Sequence, residues 1–194
     1  MNAMNLALKR TREVSLANKV ILAFGMAALT GILAQVRVFL PWTPVPVTCQ
    51  TFAVLLAGVA LGKYWGGISQ VIYVAIGAAG MPWFNGASGG YSAIAGPTGG
   101  YLFGFILAAF FVGYVVDTYK WSRGFYQMLG IMAFANFVLI YLPGVIQLNA
   151  WLYLFNGTPF NITRLVYAGV MPFALGDAIK IVSAALIARA VMPK

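Results

Sequence analysis

The chain has 194 residues, of which 62% are hydrophobic and only 8% are charged, and its formal net charge is +9. Soluble domains carry about 25% charged residues, so this composition excludes a soluble globular protein and predicts one membrane domain over 1–194. One cysteine, three acidic residues and no histidine exclude most metal sites and histidine-based catalysis. The basic residues are scattered between apolar runs, which indicates membrane orientation rather than nucleic-acid binding.

The predicted fold is an all-α integral membrane protein with six transmembrane helices and irregular outer loops. A polar, basic N-terminus over 1–19 precedes a six-helix bundle predicted over 20–192. The hydropathy pattern predicts the six spans at 20–36, 47–61, 68–79, 99–116, 125–142 and 165–191.

Ala23, Ala27 and Gly31 recur every four residues in the first predicted span, so they share one helix face. Small residues at this spacing allow another helix to approach closely. Two interpretations stay open: the stripe packs within the bundle, or it is a docking face for a partner subunit.

Prolines and glycines predict the breaks in the bundle. Residues 39–48 hold three prolines and cannot form a regular helix. Pro143 and Gly144 end the fifth span, and the stretch 145–155, about half a spanning length, is predicted to lie at the interface or to re-enter the membrane. Pro172 is predicted to bend the last span.

The stretch GMPWFNGASGGYSAIAGPTGGY (80–101) contains seven glycines, two prolines and no charge, although it lies between two apolar spans. Near bilayer depth, irregular backbone is tolerated only against protein or where it lines a cavity. We therefore predict that residues 80–98 form an outer loop that walls a small-molecule site.

The basic residues predict the orientation. With six spans both termini lie on one side, which holds nine Lys and Arg residues, while the other side holds only Arg37 and Arg164. The positive-inside rule then places both termini in the cytoplasm. The irregular segments 39–48, 80–98 and 143–163 all face outside, and their coincidence locates the predicted site.

Asp177 and Lys180 lie three residues apart in the last span, on one side of the helix. Ionisable residues inside a span are costly and point to function. The pair is interpreted as a mutually neutralising structural pair, as donor and acceptor for a ligand, or as a site of proton coupling through Asp177. Further candidates for binding a ligand are polar, aromatic or glycine residues near the loops: Thr48, Gln50, Trp83, Phe84, Asn85, Gly89, Gly90, Tyr91 and Tyr141.

Four blocks carry a resemblance to a known family: PVPVTCQTFAVLLAGVALG (44–62), GMPWFNGASGG (80–90), GPTGGYLFGF (96–105) and PFALGDAIK (172–180). Together they resemble the BioY family, the biotin-binding S components of energy-coupling factor (ECF) transporters. The resemblance implies a prokaryotic cell membrane, an outer biotin site, and partners comprising a membrane coupling protein (T component) and two ABC-type ATPases. It also implies that a small-residue motif on the first helix contacts the coupling protein; Ala23 and Ala27 match that motif, and Gly31 follows.

Biotin suits the residues found independently. Its ureido ring offers two N–H donors and one carbonyl acceptor, which Asp177, Asn85 and Lys180 can answer. Its carboxylate is left to Lys180 or to loop N–H groups. The predicted function is capture without chemistry, with no cofactor and with ATP used only by partner subunits. An S component for another vitamin, a self-sufficient secondary transporter and a membrane enzyme are the alternatives, and the enzyme lacks the usual acid–base residues.

Overall fold

The structure, a computed structural model, describes residues 15–157 and 161–192, so most of the predicted N-terminal segment 1–19 lies outside the described residues. The helices and strands follow in the order α1 Leu16–Gln35, β1 Arg37–Val38, β2 Val47–Thr48, α2 Gln50–Ala78, α3 Tyr91–Ala95, α4 Gly99–Thr118, α5 Phe125–Phe134, α6 Tyr141–Asn156, α7 Ile162–Gly169 and α8 Met171–Val191. A 3₁₀ turn (Lys120–Arg123) precedes α5, and a π-helical turn (Ala135–Ile140) joins α5 to α6.

Helix α1 forms over an uncharged apolar run that follows Lys19, and the Ser15 hydroxyl caps it by accepting from Asn18 N at 3.5 Å. Its small-residue stripe faces inward, because Ala23 and Ala27 are fully buried and α1 packs against α2. A Cβ added at Gly31 would lie 3.1 Å from Trp83 Cβ, so this end of the stripe packs against the glycine-rich loop. The stripe therefore packs within the bundle, as the first of the two interpretations expects.

Helix α2 folds back on itself at Gly62, where φ is 78° and ψ is −173°. Gln50 Nε2 donates to the Tyr73 hydroxyl at 2.7 Å, although the two residues would lie about 34 Å apart along a straight helix. The two arms, 50–61 and 63–78, are thus an antiparallel pair, and a Cβ added at Gly66 would lie 2.8 Å from Gly58 Cα. The turn needs one residue instead of the predicted break over 62–67.

Five helical segments of the described chain are long and apolar enough to cross a membrane. Helix α2 is one of these five, and because it folds into two arms the bundle has six helical segments, so the predicted all-α membrane architecture is confirmed. Helix α4 is the central helix, because 67% of its most apolar 18-residue stretch is buried. Helix α1 is peripheral, because only 22% of the corresponding stretch is buried. The site described below therefore lies against α4, at the end of the bundle where the irregular loops meet.

The predicted break at Pro143 and Gly144 is wrong, and so is the separate interfacial helix over 145–155. Helix α5, the π-helical turn and α6 form one continuous segment, of which Phe125–Phe155 counts as a single span of 31 residues. Pro143 lies just after the π-helical turn, where the hydrogen-bond pattern of the segment changes, and the helix continues through this position despite the missing N–H. At about 1.5 Å per residue the segment is longer than the hydrocarbon core, so it must either tilt or extend beyond it.

The predicted last span over 165–191 is two helices rather than one bent helix. The chain breaks at Val170, whose φ of −131° and ψ of −59° are not helical, and Pro172 stands in the first turn of α8. The Tyr101 hydroxyl donates to Gly169 O at 2.8 Å, and this contact ties the break to the central helix α4.

The outer loops are irregular, as predicted, but each contains some regular structure. Strands β1 and β2 pair antiparallel, with Arg37 opposite Thr48, and the three prolines occupy the connection between them. The glycine-rich loop contains the short helix α3 and an isolated bridge between Phe84 and Ser88.

Candidate ligand-binding site

A cavity opens where the β1–β2 hairpin, the start of α2, the glycine-rich loop, α4, the π-helical turn and α8 converge. Its wall is mainly apolar and aromatic, formed by Val45, Pro46, Tyr101, Leu102, Phe105, Ile140, Tyr141 and Phe173. The polar lining residues are Thr48, Gln50, Thr51, Asn85, Thr98, Asp177 and Lys180. An apolar wall with a few convergent polar groups is typical of small-molecule sites.

Asp177 is the most heavily bonded side chain of the cavity. Its Oδ2 accepts from the Tyr141 hydroxyl at 2.5 Å and from Asn136 Nδ2 at 2.7 Å. Its Oδ1 accepts from the Thr51 hydroxyl at 3.2 Å and forms an ion pair with Lys180 Nζ. Because a carboxylate offers about four lone-pair sites, all of the sites on Asp177 are in use. A ligand N–H can therefore bind this carboxylate only by displacing one of its present donors.

Lys180 connects the cavity to the β1–β2 hairpin. Its Nζ donates to Thr48 O at 2.7 Å while it pairs with Asp177. The ammonium group thus neutralises the buried carboxylate and fixes strand β2 against α8. The pair has a structural role and also lines the cavity. The structural interpretation and the ligand-binding interpretation are therefore compatible with each other.

Gln50 lies in the hairpin of α2 with its side chain buried. Its Nε2 donates to Tyr73, and its Oε1 accepts from the Thr48 hydroxyl at 2.9 Å. This chain of hydrogen bonds joins strand β2 to both arms of α2. Asn85 also lines the cavity, at the turn where its own carbonyl accepts from the Ser88 hydroxyl at 2.8 Å.

The remaining predicted residues of the glycine-rich loop do not line the cavity. Phe84 is 1% exposed and packs edge-on against Tyr73, with ring centroids 5.3 Å apart. Trp83 Nε1 donates to Tyr73 O at 2.9 Å, so this indole is committed to the second arm of α2. Both aromatic side chains support the loop from behind.

Gly89, Gly90 and Tyr91 shape the loop as well. A Cβ at Gly89 would collide with Met81 O. Gly90 adopts a φ of 86° and donates its N–H to Gly77 O at 2.7 Å. Tyr91 is 80% exposed. The structure thus brings six of the eleven predicted residues together around the cavity: Thr48, Gln50, Asn85, Tyr141, Asp177 and Lys180.

Several residues beside Asp177 or on the cavity wall are missing from the sequence-based prediction, and four of them matter most here. Thr51 and Asn136 contact Asp177, while Tyr101 and Phe173 form part of the wall. Asn136 is a polar residue inside an apolar predicted span, and such a residue usually bonds across helices. That signal was sufficient to find it. An aromatic residue in a span gives no comparable signal.

The sequence of the chain also identifies its family. The sequence model described as the BioY family matches residues 4–194, nearly the whole chain. The chain belongs to the BioY family. This finding confirms the resemblance drawn from the four sequence blocks.

Relatives of this BioY-family chain are named as transporters. It is 51% identical over 139 residues to a probable biotin transporter BioY of Methanothermobacter thermautotrophicus, an alignment that covers 72% of this chain and 88% of the relative. It is 41% identical over 149 residues to the biotin transporter BioY of Thermotoga maritima, covering 77% and 82%. These relatives place the chain in a family of membrane transporters rather than enzymes.

A solved structure shares the fold. The crystal structure of the S-component for biotin from an ECF-type ABC transporter superposes with a TM-score of 0.79 at 25% identity. The superposition covers 90% of each chain. The chain thus has the fold of an S component.

Proposed function

We propose that this chain binds biotin with high affinity at the outer face of a prokaryotic cell membrane, as the S component of an ECF-type uptake transporter. The observation that carries the proposal is the cavity in which an intramembrane ion pair, Asp177 and Lys180, meets Asn85 and an aromatic wall. A ligand head group with both N–H donors and a carbonyl acceptor matches these polar groups. The names of the relatives and of the solved structure support biotin as that ligand.

Recognition of the ureido ring proceeds by exchange at the carboxylate. Tyr141 and Lys180 both line the cavity and both donate to Asp177, whereas Asn136 approaches from outside the lining. An incoming ureido N–H replaces the Tyr141 hydroxyl or the Lys180 ammonium, and Asn136 and Thr51 hold the carboxylate in place. The displaced ammonium or Asn85 then donates to the ureido carbonyl. No bond of the ligand is made or broken.

The apolar part of biotin is assigned to the aromatic wall. Tyr101, Phe105 and Phe173 present ring faces and edges near the ion pair, and Tyr101 and Phe173 pack with centroids 6.4 Å apart. The thiophane ring and the valeryl chain bury apolar surface there at about 25 cal/mol per Å². Gly89 and Gly90 contribute by letting the loop fold closely over the cavity.

Transport is assigned to an assembly with other subunits. A membrane coupling protein contacts this chain within the lipid bilayer, and two ABC-type ATPases use the ATP, while this chain takes no cofactor. Both termini lie in the cytoplasm, in keeping with the distribution of basic residues. Because Ala23 and Ala27 are buried, we assign the contact of α1 to its exposed face, which includes Ile21, Gly25 and Ala28.

Competition binding tests the proposal directly. Labelled biotin is bound to the purified chain in lipid nanodiscs and challenged with unlabelled biotin, thiamine or riboflavin. We expect displacement by biotin alone. Equal displacement by thiamine or riboflavin would assign the site to another vitamin, and an absence of saturable biotin binding would refute the proposal.

A further inference from the structure

The turn of the glycine-rich loop that carries Asn85 has an unusual backbone. Gly86 has a φ of 74° and Ala87 has a φ of 54°, and among the described residues Ala87 is the one non-glycine residue with a positive φ. L-residues are disfavoured in this region, so the surroundings must hold the turn in place. Within the turn itself, Phe84 N donates to Ser88 O at 3.0 Å.

The side chain of Asn85 does not hold the turn. Within residues 15–157 and 161–192 the Asn85 side-chain amide has no hydrogen-bond partner, and the bond at this residue is made by its main-chain carbonyl. Asn85 lines the ligand cavity, and its amide can both donate and accept. Because no bond fixes this amide, the direction in which it points depends on the backbone on either side of it.

Gln35, the last residue of α1, holds that backbone on both sides of Asn85. Its Nε2 donates to Phe84 O at 3.0 Å, and its Oε1 accepts from Ala87 N at 2.9 Å. The same Nε2 donates to Gly31 O at 3.0 Å, one turn earlier in α1, which fixes the amide to its own helix. One side chain thus brackets the turn and supports the residue with the disfavoured φ.

The packing of the loop on the bundle has other sources. Phe84 is buried with its ring edge-on to Tyr73, and Trp83 Nε1 donates to Tyr73 O at 2.9 Å. Gln35, by contrast, is exposed. The aromatic contacts therefore attach the loop to the second arm of α2, and Gln35 adds the fixed backbone around Asn85.

We propose that Gln35 is a positioning residue for ligand recognition: it fixes the backbone on both sides of Asn85 and so directs the Asn85 amide into the cavity, toward the ureido carbonyl. This inference rests on the proposed function, in which Asn85 is a donor for that carbonyl. Gln35 is not itself among the residues that line the ligand cavity. Its effect on binding therefore passes through Asn85, and that dependence can be measured.

A double-mutant cycle tests the positioning role. Gln35→Met keeps the length of the side chain and removes both of its hydrogen-bonding groups, and it is compared with Asn85→Ala and with the double variant Q35M/N85A. The Kd for biotin is measured on each purified chain in lipid nanodiscs. We expect Q35M and N85A each to raise Kd about 3- to 10-fold, as for the loss of one neutral hydrogen bond. The Kd of Q35M/N85A should equal that of N85A, because Gln35 then has no amide to position.

Thr30→Val is the matched control on the same helix. The Thr30 hydroxyl donates to Met26 O at 2.9 Å and accepts from Gln70 Nε2 at 3.3 Å, so it joins α1 to α2 rather than to the glycine-rich loop. T30V should lower the melting temperature and leave the Kd for biotin unchanged. Q35M should do the reverse, because the side chain that it replaces is exposed.

Three results would overturn the positioning role: an unchanged Kd in Q35M, an unchanged Kd in N85A, or a double variant whose Kd rises by the product of the two separate effects. If Q35M does not unfold cooperatively, Gln35→Glu takes its place in the cycle with the same expectations, because it keeps the acceptor for Ala87 N and loses the donor to Phe84 O. All of these results leave biotin binding by the unsubstituted chain intact. Failure of that chain to bind biotin would instead overturn the proposed function.

Discussion

Asn136 Nδ2 lies 2.7 Å from Asp177 Oδ2, and this contact connects the π-helical turn of the fifth span to the charged pair of the last. Asn136 is fully buried, and its Oδ1 has no hydrogen-bond partner in the described structure. An unsatisfied amide oxygen in a membrane span is costly, and what Asn136 provides in return is the Nδ2 contact that orients the Asp177 carboxylate. We infer that Asn136 is a positioning residue for the carboxylate.

Replacing Asn136 by Leu should therefore weaken biotin binding while the chain still folds. The lost hydrogen bond to a charged group is worth roughly 1.5–3 kcal/mol, which corresponds to about a 10- to 100-fold rise in Kd. Equilibrium binding measures the effect. Asn149→Leu is the matched control, because Asn149 in α6 also has a buried Oδ1 without a partner and is not among the cavity residues. Unchanged binding in N136L would remove Asn136 from this role.

Asp177→Asn should abolish high-affinity binding and also lower thermal stability, because it leaves the Lys180 ammonium without its counter-charge in the span. Breaking a buried pair from one side costs about 3–5 kcal/mol. The double variant D177L/K180M removes both charges but leaves the Tyr141, Asn136 and Thr51 donors without their acceptor, so it should recover only part of the lost stability and none of the binding. Thermal unfolding and biotin binding measured on both variants separate the structural role of the pair from its ligand role. Recovery of binding in the double variant would contradict the proposed recognition.

Gly62→Ala should destabilise the hairpin of α2. Gly62 has a φ of 78°, which L-residues rarely adopt, and an added Cβ would collide with the Asp117 carboxylate that accepts from Lys63 N at 3.0 Å. We expect a loss of about 1–3 kcal/mol, seen as a lower melting temperature in detergent. Gly25→Ala is the control, since a Cβ there meets nothing within 4 Å and alanine favours the helix. An equal melting temperature for G62A and G25A would show that the turn is not formed as described.

Substitutions on the buried face of α1 should impair folding, whereas substitutions on its exposed face should impair uptake. Leucine at Ala23 and Ala27 should impair folding, because both positions are fully buried against α2. Tryptophan at Gly25 and leucine at Ala28 should leave biotin binding by the isolated chain unchanged and abolish uptake by the full transporter. Normal uptake in cells that express the G25W/A28L variant with all its partners would place the coupling-protein contact elsewhere.

The purified chain alone in liposomes should bind biotin without accumulating it. This is the expectation for an S component, and it separates that role from a self-sufficient secondary transporter using Asp177 for protons. The measurement is biotin uptake into proteoliposomes with an imposed pH gradient. Accumulation above the external concentration would contradict dependence on partner subunits.

The sequence allowed prediction of those features that depend on charge and on helix-breaking residues. Two ionisable residues in a span identified Asp177 and Lys180, and breakers without charges identified the outer loops. The direction in which an aromatic residue faces was not predictable in this way. Trp83 and Phe84 flank the same turn as Asn85, yet both pack against Tyr73. Hydropathy does not distinguish the two sides of a loop.

The errors concern helix continuity. Pro143 does not break the helix, because it directly follows a π-helical turn in which the hydrogen-bond pattern of the continuous segment already changes. Conversely, Gly62 reverses the chain in one residue, more sharply than the neighbouring Gly66 and Gly67 led us to expect. Tertiary contacts decide such cases: Asp117 closes the turn at Gly62, and it lies 54 residues from Lys63 in the sequence.

The most direct test of the central claim is an equilibrium titration of the purified chain with biotin, run alongside D177L/K180M in the same lipid nanodiscs. We predict saturable binding at a single site in the unsubstituted chain and none in the double variant, while both proteins unfold cooperatively on heating. Equal binding by the two proteins would place the biotin site away from Asp177 and Lys180. An absence of binding in the unsubstituted chain would contradict the assignment of biotin as the ligand.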